Sequence, residues 1–532
     1  MNRRSAQRLL AATTAAVAAI SLSGCTLIQT LQNGGGQVDP AEIIDADLAP
    51  ELQEYYEQEL EWGPCPEDSG ADKNAECATA LAPMDWDNPD KGEPVELALV
   101  RQPATGDNPQ GSLFSNPGGP GASGFDFVAQ SYGFFSSDLR ENFDLVGWDP
   151  RGVGRSSAVQ CRDDAGMDDY FYGVPDNYAQ MTPEQQLEWT VAKSQRFGAD
   201  CLAGTGELLG YVDTNSTVHD LDLLRALVGD PKLFYFGLSY GTDIGAKYID
   251  QFPERVGRVV LDGATDPTVP GFEVVIDQQE KFADSVRTYL QDCIEGPECP
   301  FQASTVEEAE KELRQIAEDA DETLMKNADG RVFTSSVLQM AVIAAMYDQS
   351  TWQYLTIAFD QYLNANDPST LFLLSDSYYG RDPSGHYDSN MFQAFTAINC
   401  LDYPRETDPG KIKAFNQRLN QVSIFPSAST PEEMEIGDLA CENWPVDTKV
   451  DKLEPVTGAG ADPVLVVATT NDPATPLKWA RAVAEQLESA QLLEYEGEGH
   501  IAYDEQDQCV NSYVDNYLIT GEMEDAGETK HC

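Results

Sequence analysis

Apolar residues in this chain gather in short, nearly uncharged runs before about residue 265 and after about residue 460, with helical stripes between them. Lys232-Leu233-Phe234-Tyr235-Phe236, Ser112-Leu113-Phe114-Ser115 and Pro463-Val464-Leu465-Val466-Val467-Ala468 read as buried strands, and Phe143-Asp144-Leu145-Val146-Gly147-Trp148-Asp149 and Val259-Val260-Leu261-Asp262-Gly263 as further strands. Leu492-Leu493-Glu494-Tyr495 alternates like a strand as well. Helical stripes follow two of these runs. One comprises Ile244, Tyr248, Ile249 and Phe252, ended by Pro253; the other comprises Ala480, Val483, Ala484 and Leu487. In the middle, Ser304-Thr305-Val306-Glu307 reads as a capping box for a charged helix to about Met325. Ser335 to Tyr347 carries Val337, Leu338, Met340, Ala341, Ile343 and Ala344, and Thr430-Pro431-Glu432-Glu433 opens a further helix. The pattern predicts the α/β class: a doubly wound, mostly parallel sheet with a helical lid inserted over the carboxyl ends of its strands. Its boundaries are a leader over 1–24, a tether over 25–55, a first core part over 56–265, the lid over 266–455 and a second core part over 456–532.

Chemistry enters at Gly237-Leu238-Ser239-Tyr240-Gly241, between a predicted strand and a predicted helix. Gly-x-Ser-x-Gly in that context is a nucleophile elbow, because the chain turns so sharply at the serine that larger neighbours would clash. An elbow needs a base, an acid and an oxyanion hole. Of the four histidines, His219 lies on an amphipathic helix, His386 in a polar loop and His531 beside the last residue. His500 follows a late strand and the turn Gly497-Glu498-Gly499, where such a sheet presents its general base. The acid belongs between serine and histidine in the chain. Asp472, at the end of the Pro463–Ala468 run, fits, and Asp262 is its rival, read as a structural hydrogen-bonding residue. Asn116-Pro117-Gly118-Gly119-Pro120-Gly121 follows another buried strand and can offer backbone N–H groups to an oxyanion. The prolines have no N–H, so Gly118, Gly119 or Gly121 must donate. Gly119 is chosen, with the amide of Tyr240 as the second donor. Asp149-Pro150-Arg151-Gly152-Val153-Gly154-Arg155-Ser156 reads as a structural turn.

Together these segments, with Asn471 to Pro476 and Gly499-His500, resemble the α/β-hydrolase serine aminopeptidases of the proline iminopeptidase group, in particular the secreted tripeptidyl aminopeptidases of actinobacteria. The resemblance runs from about residue 60 to the carboxyl terminus. It departs where that group usually has a histidine, at Asn116 or Pro117, a change without consequence for a hole built from backbone donors. It implies the α/β-hydrolase fold, no cofactor, and a peptidase that removes short peptides, typically tripeptides, from free amino termini. A carboxylesterase or lipase with the same triad is the alternative, since the triad does not choose between ester and amide. An inert envelope scaffold would show a lost catalytic position, and none is lost. Ala397-Ile398-Asn399-Cys400-Leu401-Asp402 and Cys441-Glu442-Asn443-Trp444-Pro445 look like the paired cysteine motifs of that group's lid. If Cys400 and Cys441 are bonded, Asp402 and Glu442 come near each other and are candidates to bind the substrate's α-ammonium group.

The amino terminus addresses the export route. Arg3, Arg4 and Arg8 precede an apolar stretch from Leu9 to Leu22, and Leu22-Ser23-Gly24-Cys25 matches a lipobox. A lipoprotein signal peptide is expected, with lipid on Cys25. The enzyme would then sit on the outer face of the cytoplasmic membrane, with release as a second fate. Ten further cysteines in an exported chain imply disulfides. Spacing does not fix their connectivity. The simplest arrangement is sequential: Cys65–Cys77, Cys161–Cys201, Cys293–Cys299, Cys400–Cys441 and Cys509–Cys532. No Cys-x-x-Cys or His-x-x-x-His spacing suggests a metal. A net charge of −57 over 532 residues repels nucleic acid and anionic headgroups, so the lipid alone must hold the protein to a membrane.

Overall fold

The computed structural model describes residues 48–425, 430–503, 508–523 and 529–532. The leader and Cys25 lie outside them. Its strands are β1 (Gly63–Pro64), β2 (Glu76–Ala82), β3 (Val95–Gln102), β4 (Ser112–Asn116), β5 (Asp144–Trp148), β6 (Leu233–Leu238), β7 (Val256–Asp262), β8 (Val464–Asn471), β9 (Ala490–Glu498) and β10 (Lys530–His531). They form one sheet in the order β1-β2-β3-β5-β4-β6-β7-β8-β9-β10. β1, β2 and β3 join it antiparallel; every neighbouring pair from β5 to β10 is parallel. This is the α/β-hydrolase fold.

The apolar runs are explained by burial on both faces. Phe114, Tyr235, Leu261 and Val466 pack on one side against Leu221, Ile244 and Tyr248. Leu113, Phe236, Val260 and Val467 pack on the other against Phe125, Val128, Val514 and Tyr517. Strand residues alternate between the two cores with the period of the pleat. The turn after β5 is held by charge. Arg151, fully buried, makes two 2.7 Å bonds to the Asp220 carboxylate and donates to the carbonyls of Pro83, Met84 and Tyr211.

Between β7 and β8 the chain turns helical. Five helices, Gly271–Glu295, Val306–Thr323, Ser335–Met346, Trp352–Ala365 and Ser369–Tyr379, share a core of Leu290, Leu313, Leu338, Phe359 and Phe372. A sixth, Met391–Asp402, instead buries Ala394, Ala397, Ile398 and Leu401 in the core of the sheet. The five disulfides join the cysteines in sequential order.

Three local expectations are corrected. The helix from Thr430 is a single 3-10 turn, Glu433–Glu435. Its capping box forms, Thr430 N–H to Glu433 Oε2 and Glu433 N–H to Thr430 Oγ1. The Asn416 amide then takes the carbonyls of Met434 and Ile436 that a longer helix would use. The helix expected from Ser304 to Met325 runs Val306–Thr323, capped by Thr305 on the Glu308 N–H, with Leu324 in the left-handed region. The tether ends earlier than residue 55, because Tyr55 and Tyr56 are buried and the Tyr56 hydroxyl donates to Asp222.

Candidate active site

Ser239 follows β6 at the turn into the helix Gly241–Gln251. Its φ of 53° is left-handed, the strained conformation of an elbow. The sequence permits the turn because Gly241 has no side chain: a Cβ there would lie 2.4 Å from the Asn116 carbonyl oxygen. The Ser239 N–H donates to the Asp262 carbonyl, tying the elbow to the neighbouring strand at 2.9 Å.

Strand order then sets the constellation. Asp262 ends β7, Asp472 follows β8 and His500 follows β9, so the groups lie at the carboxyl ends of four adjacent parallel strands. His500 Nδ1 lies 2.8 Å from Asp472 Oδ2 and 3.0 Å from Oδ1. Asp472 is itself fixed: Oδ1 accepts the N–H groups of Ala474 and Thr475, and Oδ2 accepts the Thr475 hydroxyl, each at 2.8 Å. Burial disfavours a charged His500, but the Asp472 carboxylate outweighs it and holds the imidazole pKa above the usual histidine value. His500 Nε2 is buried and makes no hydrogen bond among the described residues, so the nitrogen that would take a serine proton is available.

Asp262 plays another part. Its carboxylate accepts the N–H groups of Ala502 (3.1 Å) and Tyr503 (2.8 Å), clamping the loop just after His500. Ile501 between them has φ 76°, a strained value for a β-branched residue. Burial, opposed by these two N–H groups, pushes the Asp262 carboxyl up to about 6. From the insertion, the Tyr347 carbonyl accepts the His500 N–H at 3.0 Å, and its ring meets the imidazole edge-on with centroids 5.4 Å apart. Nothing in the sequence marks Tyr347, which there is only the end of a helical stripe.

The glycine loop after β4 lies against the elbow. A Cβ at Gly118 would be 2.8 Å from Ser239 Cβ and 2.9 Å from the Tyr240 nitrogen. The Gly118 N–H is committed to Asn116 Oδ1 at 2.9 Å. The Gly119 and Tyr240 N–H groups make no hydrogen bond among the described residues; Tyr240 directly follows Ser239, and Gly119 follows the Gly118 that packs against both. The arrangement can deliver a serine oxygen to a carbonyl, move its proton, and receive the resulting oxyanion.

Asp402 and Glu442 sit in different surroundings. Cys400 and Cys441 are bonded, but Asp402 is buried with its oxygens on Thr214, whereas Glu442 is exposed and accepts the Gly437 N–H. Asp402 is pushed up to about 7 by burial, against the Lys247 charge and the Thr214 bonds. No sequence signal marks Thr214 or Lys247; Thr214 sits 188 residues from Asp402 in the chain. His219 packs on Trp86, His386 faces Asp164 in solvent and His531 faces Glu494, all apart from the triad. A cleft of about 690 Å³ between Arg155, Arg162, Asn390 and Gln393 contains no triad residue. No group of side chains suited to a metal occurs among the described residues.

A family model described as TAP-like protein matches residues 430–531, the segment with Asp472 and His500. The chain is 34% identical to the serine protease Hip1 of Mycobacterium tuberculosis (strain ATCC 25618 / H37Rv), covering 96% of each chain. It is 35% identical to carboxylesterase B of the same strain, over 93% of this chain and 92% of that one. It is 29% identical to the tripeptidyl aminopeptidase of Streptomyces coelicolor, over 87% and 84%.

Proposed function

The chain belongs to the α/β-hydrolase family of serine protease Hip1 and the tripeptidyl aminopeptidases and is a serine hydrolase of the peptidase type; from that premise we propose that it releases short peptides, typically tripeptides, from free amino termini through Ser239, His500 and Asp472. Ser239 attacks the scissile carbonyl while His500 Nε2 takes its proton. Asp472 holds the imidazole in the tautomer with hydrogen on Nδ1 and stabilises the imidazolium that forms. The N–H groups of Gly119 and Tyr240 receive the oxyanion. His500 returns the proton to the leaving amine, and water, deprotonated by the same histidine, hydrolyses the acyl-enzyme. The observation that carries the reading is the 2.8 Å His500–Asp472 pair, two and three strands along the sheet from a left-handed serine.

The helical insertion acts as a lid that limits access to free chain ends. Tyr347, Tyr378 and Phe392 form a connected aromatic wall starting at His500, which suits peptide side chains beside the scissile bond. The protein is exported and lipid-anchored at Cys25, on the outer face of the cytoplasmic membrane. This part rests on the leader sequence alone, and Cys25→Ser should move the enzyme from the membrane fraction to the soluble one. An esterase is the second reading, favoured by the likeness to carboxylesterase B.

Three coumarin substrates separate the readings: a free-amine tripeptide amide, its N-acetyl form and a short acyl ester, with Ser239→Ala as control. Cleavage of the free tripeptide with the acetylated form untouched supports the aminopeptidase. Turnover of the ester with both peptides untouched refutes it.

A further inference from the structure

The Met391–Asp402 helix touches supports of both proposed oxyanion donors, one at each end. At its start, Met391 Cε lies 3.5 Å from where a Gly119 Cβ would be. The Met391 carbonyl and the Phe395 nitrogen lie 2.4 and 3.0 Å from the corresponding point on Gly121. Gly121 therefore fits beneath this helix only because it has no side chain, and Met391 is in van der Waals range of Gly119. The helix start is fixed to the main fold. Asn390 accepts the Gly154 N–H and donates to the carbonyls of Gly152 and Val159, while Gln393 accepts the N–H groups of Cys161 and Arg162.

At its other end, about 18 Å away for twelve residues, Asp402 grips Thr214. Oδ1 accepts the Thr214 N–H at 2.9 Å and Oδ2 accepts its hydroxyl at 2.5 Å. With that hydroxyl proton committed, the Tyr240 hydroxyl donates to Thr214 Oγ1. All three side chains are buried. Tyr240 is the residue whose amide follows the nucleophile, so the chain Asp402–Thr214–Tyr240 fixes its side chain, and with it the plane of the 239–240 peptide. A donor stabilises an oxyanion fully only if it is already aimed before charge develops.

We propose that Asp402 is a positioning residue for the oxyanion hole, holding the Tyr240 amide in line through Thr214 while the same helix holds the Gly119 loop. It rests on the reading of Ser239 as nucleophile. It replaces contact with the substrate ammonium as the role of Asp402, because the carboxylate is buried and each oxygen is bonded to Thr214. Glu442, exposed and turned to Gly437, has no part in it.

The test compares Asp402→Asn, Thr214→Val and Tyr240→Phe on the free-amine tripeptide amide and the short ester. Inhibition by a tripeptide boronate is measured alongside, since its tetrahedral adduct places an oxygen in the hole. The expected result for Asp402→Asn is a roughly 10- to 100-fold fall in kcat on both substrates, KM within about twofold, and boronate affinity lowered by the same factor as kcat. Asp402→Asn combined with Tyr240→Phe should be no slower than Asp402→Asn alone, because both act on one chain of bonds. A KM increase confined to the free-amine peptide would instead make Asp402 the ammonium anchor and overturn the proposal; so would unchanged kcat and boronate affinity. If Asp402→Asn does not fold, Thr214→Val and Tyr240→Phe must show the same parallel loss or the proposal fails. Activity surviving Ser239→Ala would refute the catalytic reading itself, a separate outcome.

Discussion

Two buried aspartates end neighbouring strand segments beside His500, and exchanging each for asparagine should separate their roles. In Asp472→Asn the amide oxygen can remain at the Oδ1 site, where it still accepts the N–H groups of Ala474 and Thr475 at 2.8 Å. The NH2 group then takes the Oδ2 site, 2.8 Å from His500 Nδ1. It is a donor, so it stabilises the tautomer with hydrogen on Nε2, and that nitrogen can no longer accept the Ser239 proton. The same tautomer error in a Ser-His-Asp protease costs about 10⁴ in kcat, or about 5.4 kcal/mol of transition-state stabilisation. KM and the melting temperature should change little. Removing the anion also lowers the His500 pKa. Activity requires neutral His500, so the wild-type rate should fall as pH drops through a value above that of free histidine, and the variant's residual rate should fall at a lower pH. Asp262→Asn behaves differently. One asparagine oxygen can keep the Tyr503 N–H and, at 3.2 Å, the Ala502 N–H, but the NH2 group is then a donor set against the Ala502 N–H at about the 3.1 Å now spanned by a hydrogen bond. That costs about 1–3 kcal/mol of stability, with less than a tenfold loss in kcat/KM. The assay is kcat/KM against pH on the tripeptide amide, with thermal melts of each variant. A 10⁴-fold loss for Asp262→Asn alongside near-normal Asp472→Asn would refute the assignment of the acid.

Two further outcomes follow from buried charge. Arg151→Met leaves Asp220 buried without its guanidinium and should destabilise the fold by about 3–5 kcal/mol, lowering Tm by roughly 3–5 °C in a chain this long; Arg151→Met with Asp220→Leu should recover much of that, and a melt of the single variant within about 1 °C of wild type would contradict it. Asp149, Asp230 and Asp262 are pushed up to about 6 and Asp402 to about 7 by burial, against 3.8 when exposed, so each binds its proton more tightly folded than unfolded. Stability should therefore rise as pH falls from about 7 toward 4, by on the order of 2–4 kcal/mol per group, and repulsion within a chain of net charge −57 acts in the same direction. Urea midpoints at pH 5, 6 and 8 test this, and a midpoint that increases from pH 5 to pH 8 would contradict it.

The parts of this structure that sequence discloses are those decided within a few residues. Burial on both faces makes β4, β6 and β8 continuous apolar runs, and the elbow needs small residues on either side of Ser239, so both are written locally. The choice between Asp472 and Asp262 is not, because both end strands; only the geometry shows Asp472 on Nδ1 and Asp262 on the amides beyond it. Gly118 and Gly119 are equivalent in sequence until the Asn116 side chain commits one of their N–H groups. The turn at Thr430 carries every local sign of a helix start and stops because an amide on Asn416, fourteen residues earlier, takes its carbonyls. The Cys400–Cys441 disulfide forms, but a bond between two cysteines does not fix which way the adjacent side chains of Asp402 and Glu442 turn. Thr214 meets Asp402 only through packing of the insertion on the sheet, which no window of sequence contains.

That packing bears on how catalysis and selectivity are divided. A detachable lid would touch substrate and leave the reacting groups to the sheet. Here the segment between β7 and β8 reaches the proposed catalytic groups or their supports at three separated points: the Tyr347 carbonyl on the His500 N–H, Met391 over Gly119, and Asp402 on Thr214 behind Tyr240. Two of these contacts come from the ends of one helix, and that helix is buried in the core of the sheet rather than in the insertion's own. A change in the aromatic wall at Tyr378 or Phe392 is transmitted to Tyr347 and to Met391, its neighbours in contact and in chain. Because close-packed side chains pass displacement on rather than absorb it, a substitution there should move His500 and Gly119 together. Reshaping the cleft for another peptide should therefore alter kcat as well as KM, whereas the strands beneath, which hold Ser239, Asp472 and Asp262, can stay unchanged.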